Sequence, residues 1–308
     1  MKLKNFLLLV LLASMWGPSF LFIKVAVEDI PPLTMVLGRV ATGALVLLFL
    51  LRLQGSRLPK WGPVWKHLAV VALIHNAIPF VLFSWGEQYI DSALAAILNG
   101  TVPFFTIILA HFFAQNDRIT PVKMVGILVG FGGMVLLAIP SFGDGVQGTT
   151  WGVLAITAAS FLYGIAIVYT RNNLRGLQPL AAPTGQMILA TLYMLPLSLL
   201  IDRPYLLPMP SLASLGSMLA LGVLGTAIAF TVYYKLLERA NASYVSMTTY
   251  MIPVFGVILG AIFLNEAVTW ERVGGCALIL VGVMIVNGLI GSMRVERRKT
   301  AEQPIASQ

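Results

Sequence analysis

The chain has 308 residues, of which 58% are hydrophobic and 10% are charged, and its formal net charge is +8. Soluble domains carry roughly 25% charged residues, so 20 Lys and Arg with 12 Asp and Glu cannot cover a water-facing surface of this size. The composition, with a mean hydropathy of +0.88, excludes a soluble globular protein and predicts an all-α polytopic membrane protein.

Ten apolar runs follow one another along the chain, separated by charges, Pro and Gly. We predict that each run forms a transmembrane helix, because about 20 apolar residues are needed to cross a bilayer. The first run is longer than the roughly 7 to 15 apolar residues of a signal peptide and lacks a clear cleavage site, so it is counted as a helix. The ten predicted helices cover residues 5–27, 33–53, 67–86, 92–115, 122–139, 151–170, 180–201, 212–236, 242–264 and 273–289.

The basic residues are distributed unevenly between the two sides of this arrangement. Sixteen of the 20 Lys and Arg fall on the side of the N-terminus, Arg203 and Arg272 fall on the opposite side, and Lys24 and Arg39 lie within predicted helices. Because basic residues concentrate on the cytoplasmic side, we predict a multi-pass protein of a bacterial inner membrane with both termini cytoplasmic, including the polar tail 291–308. The positive charge therefore indicates topology and not a nucleic-acid partner.

The chain matches itself at a distance of about 147 to 150 residues, which predicts two five-helix units, residues 1–140 and 150–290. Because five is odd, the second unit enters the membrane from the opposite side, so the two halves are inverted. Inverted repeats give secondary transporters two related conformations around a site near the bilayer midplane. The matched pairs include Trp16 with Tyr163, Lys24 with Arg171, Arg39 with Gln186, and Pro103 with Pro253.

This pattern resembles the EamA-type branch of the drug/metabolite transporter superfamily. The resemblance is carried by the segment 16–24, by Arg39, and by the two helix-turn-helix ends 103–133 and 253–282. It covers almost the whole chain. It implies five plus five inverted helices around a central cavity, and export or exchange of small metabolites, amino acids or drugs.

Arg39 is the strongest candidate for a functional charge. It lies six residues inside the second predicted helix, and an Arg at a helix centre costs about 2.5 to 3.5 kcal/mol in a bilayer. Its counterpart Gln186 is uncharged, so the positive charge would lie on one side of the cavity only, which favours a carboxylate ligand there. Two structural alternatives stay open for Arg39: it snorkels to the outer interface, or it pairs with Glu28 or Asp29.

His75 and Asn76 fall near the middle of the third predicted helix, just before Pro79. A proline kink there exposes backbone carbonyls that a cavity can use. His75 is a candidate to bind substrate or to carry a proton; a histidine hydrogen-bonded between helices is the structural alternative. No Asp or Glu lies deep in a predicted helix, with Glu87 assigned to the outer side, so His75 is the one candidate proton carrier near the midplane.

Polar residues precede a proline in the fourth and ninth predicted helices as well. Aromatic residues in the first and sixth could form walls of the same cavity, or could serve packing and interface anchoring instead. The candidate substrate-binding residues are Trp16, Arg39, His75, Asn76, Asn99, Tyr163, Gln186, Thr249 and Tyr250, and the candidate hinges are Pro79, Pro103 and Pro253.

The chain has no Walker loop, HExxH or GxSxG motif, and its single Cys276 excludes an intramolecular disulfide. We expect no enzyme activity, no cofactor and no metal. The sequence predicts a secondary transporter, with export the expected direction, that moves small organic metabolites such as amino acids by alternating access. The alternatives are a multidrug exporter or a membrane-embedded lipid-modifying enzyme. The expected partners are a small-molecule substrate and the bilayer, with proton coupling through His75, no nucleic acid, and a monomer or homodimer.

Overall fold

The computed structural model describes residues 2–90, 92–114, 117–143, 150–178, 180–263 and 269–286. Every regular element in these residues is a helix, so the predicted all-α class is confirmed. Three shorter apolar helices accompany six that are long and apolar enough to cross a membrane. The six are Leu3–Asp29, Pro32–Leu53, Val64–Gly86, Thr150–Asn173, Ala181–Asp202 and Leu212–Arg239, and the shorter ones are Val102–Phe113, Pro121–Leu136 and Val273–Val286. The count of ten spans and the inverted repeat stay predictions, and the tail 291–308 lies outside the described residues.

The first half of the chain forms eight helical pieces. They are α1 (Lys2–Trp16), α2 (Ser19–Asp29), α3 (Pro32–Leu53), α4 (Val64–Val71), α5 (Ile78–Gly86), α6 (Ser92–Asn99), α7 (Val102–Phe113) and α8 (Pro121–Gly143). A π-helical turn, Ala72–Ala77, joins α4 to α5 and is called the first π turn below.

The second half forms seven pieces. They are α9 (Thr150–Asn173), α10 (Ala181–Leu197), α11 (Leu212–Gly222), α12 (Ala229–Arg239), α13 (Ala242–Ser246), α14 (Thr248–Phe263) and α15 (Trp270–Val286). A π-helical turn, Val223–Ile228, joins α11 to α12 and is called the second π turn; another, Ser198–Asp202, follows α10.

The interruptions of the helices fall at corresponding places in the two halves. The third apolar run is widened by the first π turn and the eighth by the second π turn, while the fourth run breaks at Gly100–Thr101 and the ninth at Met247. π-helical turns are rare and often mark functional sites. The two halves therefore share the same pattern of helix interruptions.

Glycines bring the last helix of each half into close contact. A Cβ atom on Gly133 of α8 would lie 2.6 Å from the carbonyl oxygen of Gly275, and one on Gly282 of α15 would lie 2.5 Å from that of Gly126. Small residues of this kind allow helix backbones to approach each other in lipid. The close approach of the α8 and α15 backbones therefore depends on the absence of side chains at these glycines.

The outside of the bundle is apolar. Phe49, Phe112 and Leu200 are 62%, 71% and 72% exposed, while Arg39, His75 and Asn99 are each 4% exposed. A soluble protein shows the opposite distribution. The surface therefore fits a hydrocarbon environment, and the polar side chains converge on the interior.

Candidate functional site

A cavity lies between helices of both halves of the chain. Its walls come from α1, α2, α3, the first π turn, α5, α6, α7, α9, α12, α13 and α14. The cavity has a volume of about 80 Å³. In this conformation the cavity has room for a small molecule only.

Arg39 supplies a positive charge to the cavity. Its Nε donates a hydrogen bond to Oγ1 of Thr226 in the second π turn at 3.0 Å, and its guanidinium carbon lies 3.7 Å from the ring centroid of Phe80. No described residue accepts a hydrogen bond from its Nη groups. The guanidinium is thus held by one hydrogen bond and by an aromatic face. Its two terminal Nη groups remain able to bind a ligand.

The two structural alternatives for Arg39 are wrong. Its burial excludes snorkelling to the interface. Asp29 Oδ2 instead accepts hydrogen bonds from the Ser214 hydroxyl at 2.8 Å and the Ser211 N–H at 3.1 Å, and Glu28 is exposed. Neither acid neutralises the cavity cation.

His75 sits among aromatic rings of the cavity wall. The ring centroids of Tyr163, Phe230 and Tyr233 lie 5.7, 5.2 and 5.1 Å from that of the imidazole. Trp16 joins this group at 6.1 Å from both Phe230 and Tyr233. The cavity therefore combines a cationic end with an aromatic wall that can pack against a flat or apolar group.

Four buried polar atoms of cavity-lining residues have no hydrogen-bond partner among the described residues. They are Oγ of Ser19, Nδ1 of His75, Oδ1 of Asn99 and Oη of Tyr233. Buried polar groups are almost always paired, and an unpaired one costs about 1 to 3 kcal/mol. Such a group is stabilised by water or a ligand that enters the cavity.

The structure brings six of the nine sequence-predicted residues to the cavity wall. They are Trp16, Arg39, His75, Asn99, Tyr163 and Thr249. The indole Nε1 of Trp16 also donates to the main-chain oxygen of Gly225 in the second π turn at 3.0 Å. A main-chain carbonyl in an irregular helix turn therefore accepts a hydrogen bond from a cavity residue. The sequence predicts exposed carbonyls of this kind in the third helix.

The other three predicted residues do not line this cavity and instead join helices behind it. Nε2 of Gln186 donates to Oδ1 of Asn76, and Oε1 of Gln186 accepts from the hydroxyl of Tyr234 at 2.6 Å. The hydroxyl of Tyr250 donates to the main-chain oxygen of Ile127 at 3.1 Å. All three are buried, and Nδ2 of Asn76 has no hydrogen-bond partner among the described residues.

Sequence reasoning missed several wall residues: Ser19, Phe20, Phe83, Phe230 and Ser246. Phenylalanines in an apolar run carry no signal that separates a cavity wall from lipid contact or packing. Ser19 had a usable signal, because it follows the Gly17–Pro18 break and so begins a new helix, α2, at the depth of the cavity.

The three candidate hinge prolines take different places in their helices. Pro79 lies in the first turn of α5, directly after the first π turn, and Pro103 lies in the first turn of α7. A proline is tolerated at the start of α7 because the first N–H groups of a helix have no intrahelical partner, whereas Pro79 lies within the continuous helix Val64–Gly86. Pro253 lies inside α14.

Lys24 and Arg171, which the sequence pairs across the halves, both donate to main-chain carbonyls. Nζ of Lys24 donates to the oxygen of Glu87 at 2.7 Å, and Nη1 of Arg171 donates to that of Leu237 at 2.8 Å and to that of Ala240. Carbonyls at a helix C-terminus lack intrahelical partners. Each cation thus caps the end of a helix that carries a π turn.

Glu87 differs from the sequence expectation. The sequence placed it on the outer side, but its side chain is 0% exposed directly after α5. Glu87 is therefore a buried acid that the sequence analysis did not predict. A residue that ends a helix gives no sequence signal of whether it points into water or into the bundle.

Residues 3–139 and 150–288 match the EamA-like transporter family. This chain belongs to that family. It is 28% identical over 284 residues to an uncharacterized transporter of Archaeoglobus fulgidus, with 92% of this chain and 99% of the relative covered. It is 27% identical over 281 residues to the uncharacterized inner membrane transporter YedA of Escherichia coli K12, with 88% and 87% covered.

A solved crystal structure has the same fold. Its TM-score to this chain is 0.76 at 18% sequence identity, with 95% of this chain and 99% of the other covered. The family match confirms the resemblance to the EamA type, and the family and the relatives identify a multi-pass membrane protein and support a transporter. Their names point to transport and not to catalysis.

Proposed function

We propose that this protein is a secondary transporter that moves a small organic metabolite with a carboxylate group, such as an amino acid, by alternating access. One observation carries the proposal: a buried Arg39 presents uncommitted donors to a cavity whose wall holds other unpaired polar atoms. Burying a charge is costly in a bilayer. A ligand that pairs with the guanidinium accounts for it.

Two inverted halves of five spans each are the architecture that we propose. The family match in both halves and the corresponding helix interruptions support it. So do the pairwise contacts, in which α3 packs on α10 and α8 on α15, because each pair joins elements at the same place in the two halves. Five helices per half reverse the direction of the second half.

The substrate carboxylate would bind the forked end of Arg39, as planar carboxylates do in bidentate pairs. Oγ of Ser19 and Oδ1 of Asn99 would take further polar groups, and an amino group suits the amide oxygen. The rings around His75 would hold the remainder of the substrate. Asn76, Gln186 and Tyr250 would support these wall residues from behind.

Alternating access requires the cavity to open to each side in turn. The helix interruptions give the central helices places to bend, and Pro79, Pro103 and Pro253 are the proposed flexure points. His75, with its unpaired Nδ1 in the cavity, is the proposed proton carrier. We place the protein in a bacterial inner membrane with both termini cytoplasmic, in line with the charge distribution and the name of the relative YedA. Export is the direction that the resemblance to the EamA type implies.

Multidrug export is the second candidate, because the aromatic wall would also accept flat lipophilic cations. The charge of Arg39 argues against it, since a buried cation repels a cationic drug. The lipid-modifying enzyme gains no support from the described residues, in which His, Cys, Asp and Glu form no group of three or more suited to a metal.

Counterflow into proteoliposomes tests the proposal. Vesicles loaded with one unlabelled amino acid, nucleoside or lipophilic cation are followed for entry of the labelled form, without an ion gradient. Transient accumulation of a carboxylate-bearing compound is the expected result. Accumulation of lipophilic cations would favour the multidrug exporter, and entry of nothing on the panel by folded, inserted protein would count against the proposed substrate class.

A further inference from the structure

Glu87 is buried near the cavity without hydrogen bonds to its carboxylate. Its side chain is 0% exposed, and neither Oε1 nor Oε2 has a partner among the described residues. Lys24 on α2 and Arg39 on α3 are both close enough to interact with it electrostatically. Glu87 is therefore an ionisable group whose charged form is stabilised neither by solvent nor by hydrogen bonds.

The two cations near Glu87 have other direct partners. Nζ of Lys24 donates to the main-chain oxygens of Glu87 and Ile90, at 2.7 and 3.4 Å, and Arg39 donates to Thr226. Among the described residues no cationic nitrogen lies within 4.0 Å of the Glu87 carboxylate. The acid is near positive charge without being paired to it.

The other titratable groups on the helices packed against α5 do not supply a counter-charge. His75 in the first π turn and Tyr163 on α9 belong to the cavity wall. On α2, Asp29 is held by Ser214 and Glu28 is exposed. The charge state of Glu87 therefore depends on Lys24 and Arg39 alone among these neighbours.

A buried, unpaired carboxylate costs several kcal/mol when it is ionised. Two states avoid this cost: the acid holds a proton, or it is ionised and is balanced by the neighbouring cations. In the first state the charge of Arg39 is free to attract a ligand. In the second state the charge of Arg39 is already partly neutralised.

We propose that Glu87 is a proton-binding site of this transporter, and that its proton and a carboxylate ligand on Arg39 bind together. The proposal rests on the proposed transport function and places the coupled proton on Glu87 in place of His75. Because linkage is reciprocal, the proton strengthens ligand binding by the same factor as the ligand strengthens proton binding. Proton and ligand then move in the same direction across the membrane, so an inward proton gradient would drive uptake, and this proposal gives import as the direction in place of export.

Infrared pH-difference spectroscopy of the full-length protein in lipid tests the proton site without any substrate. The C=O stretch of a protonated acid in an apolar environment is expected in the wild type, to be lost in Glu87→Gln and kept in the control Glu28→Gln, an exposed acid on α2. A wild type without this band, or an unchanged band in Glu87→Gln, would overturn the assignment.

A second variant covers the case in which Glu87→Gln fails to fold. Lys24→Met removes one of the two cations that favour the ionised form, so the acid band should persist to higher pH than in the wild type. A band that disappears at the wild-type pH in Lys24→Met would contradict the electrostatic link between the two residues.

Counterflow tests the coupling once a carboxylate substrate is in hand. The half-saturation concentration of the wild type should rise with pH, by at most about tenfold per unit, while Glu87→Gln keeps the low-pH value throughout. Equal pH dependence in the two proteins would overturn the coupling, and its loss in His75→Gln instead would assign it to His75. If no compound on the counterflow panel is transported, the transport proposal fails, and the infrared result still decides whether Glu87 binds a proton.

Discussion

Arg39 and Gln186 each donate a side-chain hydrogen bond into a π turn of the other half of the chain. Arg39 bonds Thr226 in the second π turn, and Gln186 bonds Asn76 in the first. The first hydrogen bond holds a cation at the cavity wall, and the second belongs to an uncharged cluster behind that wall. In the proposed mechanism the same position serves ligand attraction in the first half, while in the second half it serves helix packing.

Replacement of Arg39 should remove affinity for a carboxylate substrate. Hydrogen bonds to charged groups contribute about 1.5 to 3 kcal/mol, so Arg39→Gln should raise the half-saturation concentration in counterflow by roughly 10- to 100-fold. Lys66→Gln removes an exposed cation and serves as the matched control. Wild-type counterflow in Arg39→Gln would remove this residue from the site.

Replacement of Gln186 should lower stability because it leaves buried polar groups unpaired. Gln186→Leu deprives Asn76 and Tyr234 of their partner, at about 1 to 3 kcal/mol for each unsatisfied group. We expect a lower melting temperature of the purified protein, followed by intrinsic fluorescence. Gln88→Leu at an exposed position should melt like the wild type, and equal melting of the two variants would contradict the packing role.

A side chain at Gly133 should separate α8 from α15. A Cβ atom there would lie 2.6 Å from the oxygen of Gly275 and 2.9 Å from Cγ1 of Ile279, so Gly133→Val must displace a helix. Gly132 meets nothing within 4 Å, and Gly132→Val is a control one residue away. The yield of monodisperse protein in detergent should fall sharply in the first variant only; equal yields would show that the helices do not pack this closely.

Truncation of Phe230 should widen the aromatic wall next to His75. Phe230→Ala removes a ring that contacts both His75 and Trp16, so the native substrate should bind several-fold more weakly while bulkier analogues gain access. Phe112→Ala removes an exposed ring and should leave the counterflow profile unchanged. An unchanged profile in Phe230→Ala would place the substrate elsewhere.

The composition was sufficient to predict the fold class, and the cost of burying a charge in a bilayer was sufficient to predict the cation of the cavity. Arg39 and His75 stand out in apolar helices because their burial needs a reason, and both line the cavity. The sequence could not resolve helix phase: Asn76 follows His75 by one residue, about 100° around the helix, and lies behind the wall. Residues at helix ends, such as Glu87, are equally undetermined.

The contacts made by corresponding residues of the two halves could not be predicted from the sequence, for a different reason. An offset match predicts which positions correspond, but it does not predict that Lys24 and Arg171 reach main-chain carbonyls. That depends on where the preceding helix ends, and helix ends depend on tertiary contacts more than on local residues. The π turns have no local sequence signature at all.

The most direct test of a cavity that opens to both sides uses Ser246→Cys in a Cys276→Ser background. Ser246 is buried and lines the cavity, and the background removes the one native thiol. Gln54→Cys and Met209→Cys, both exposed, report the predicted inner and outer sides. Alternating access predicts that a membrane-impermeant thiol reagent labels Ser246→Cys from either side of oriented vesicles, while each control reacts from one side only. Labelling of Ser246→Cys from a single side, or from neither, would contradict a central cavity with alternating access.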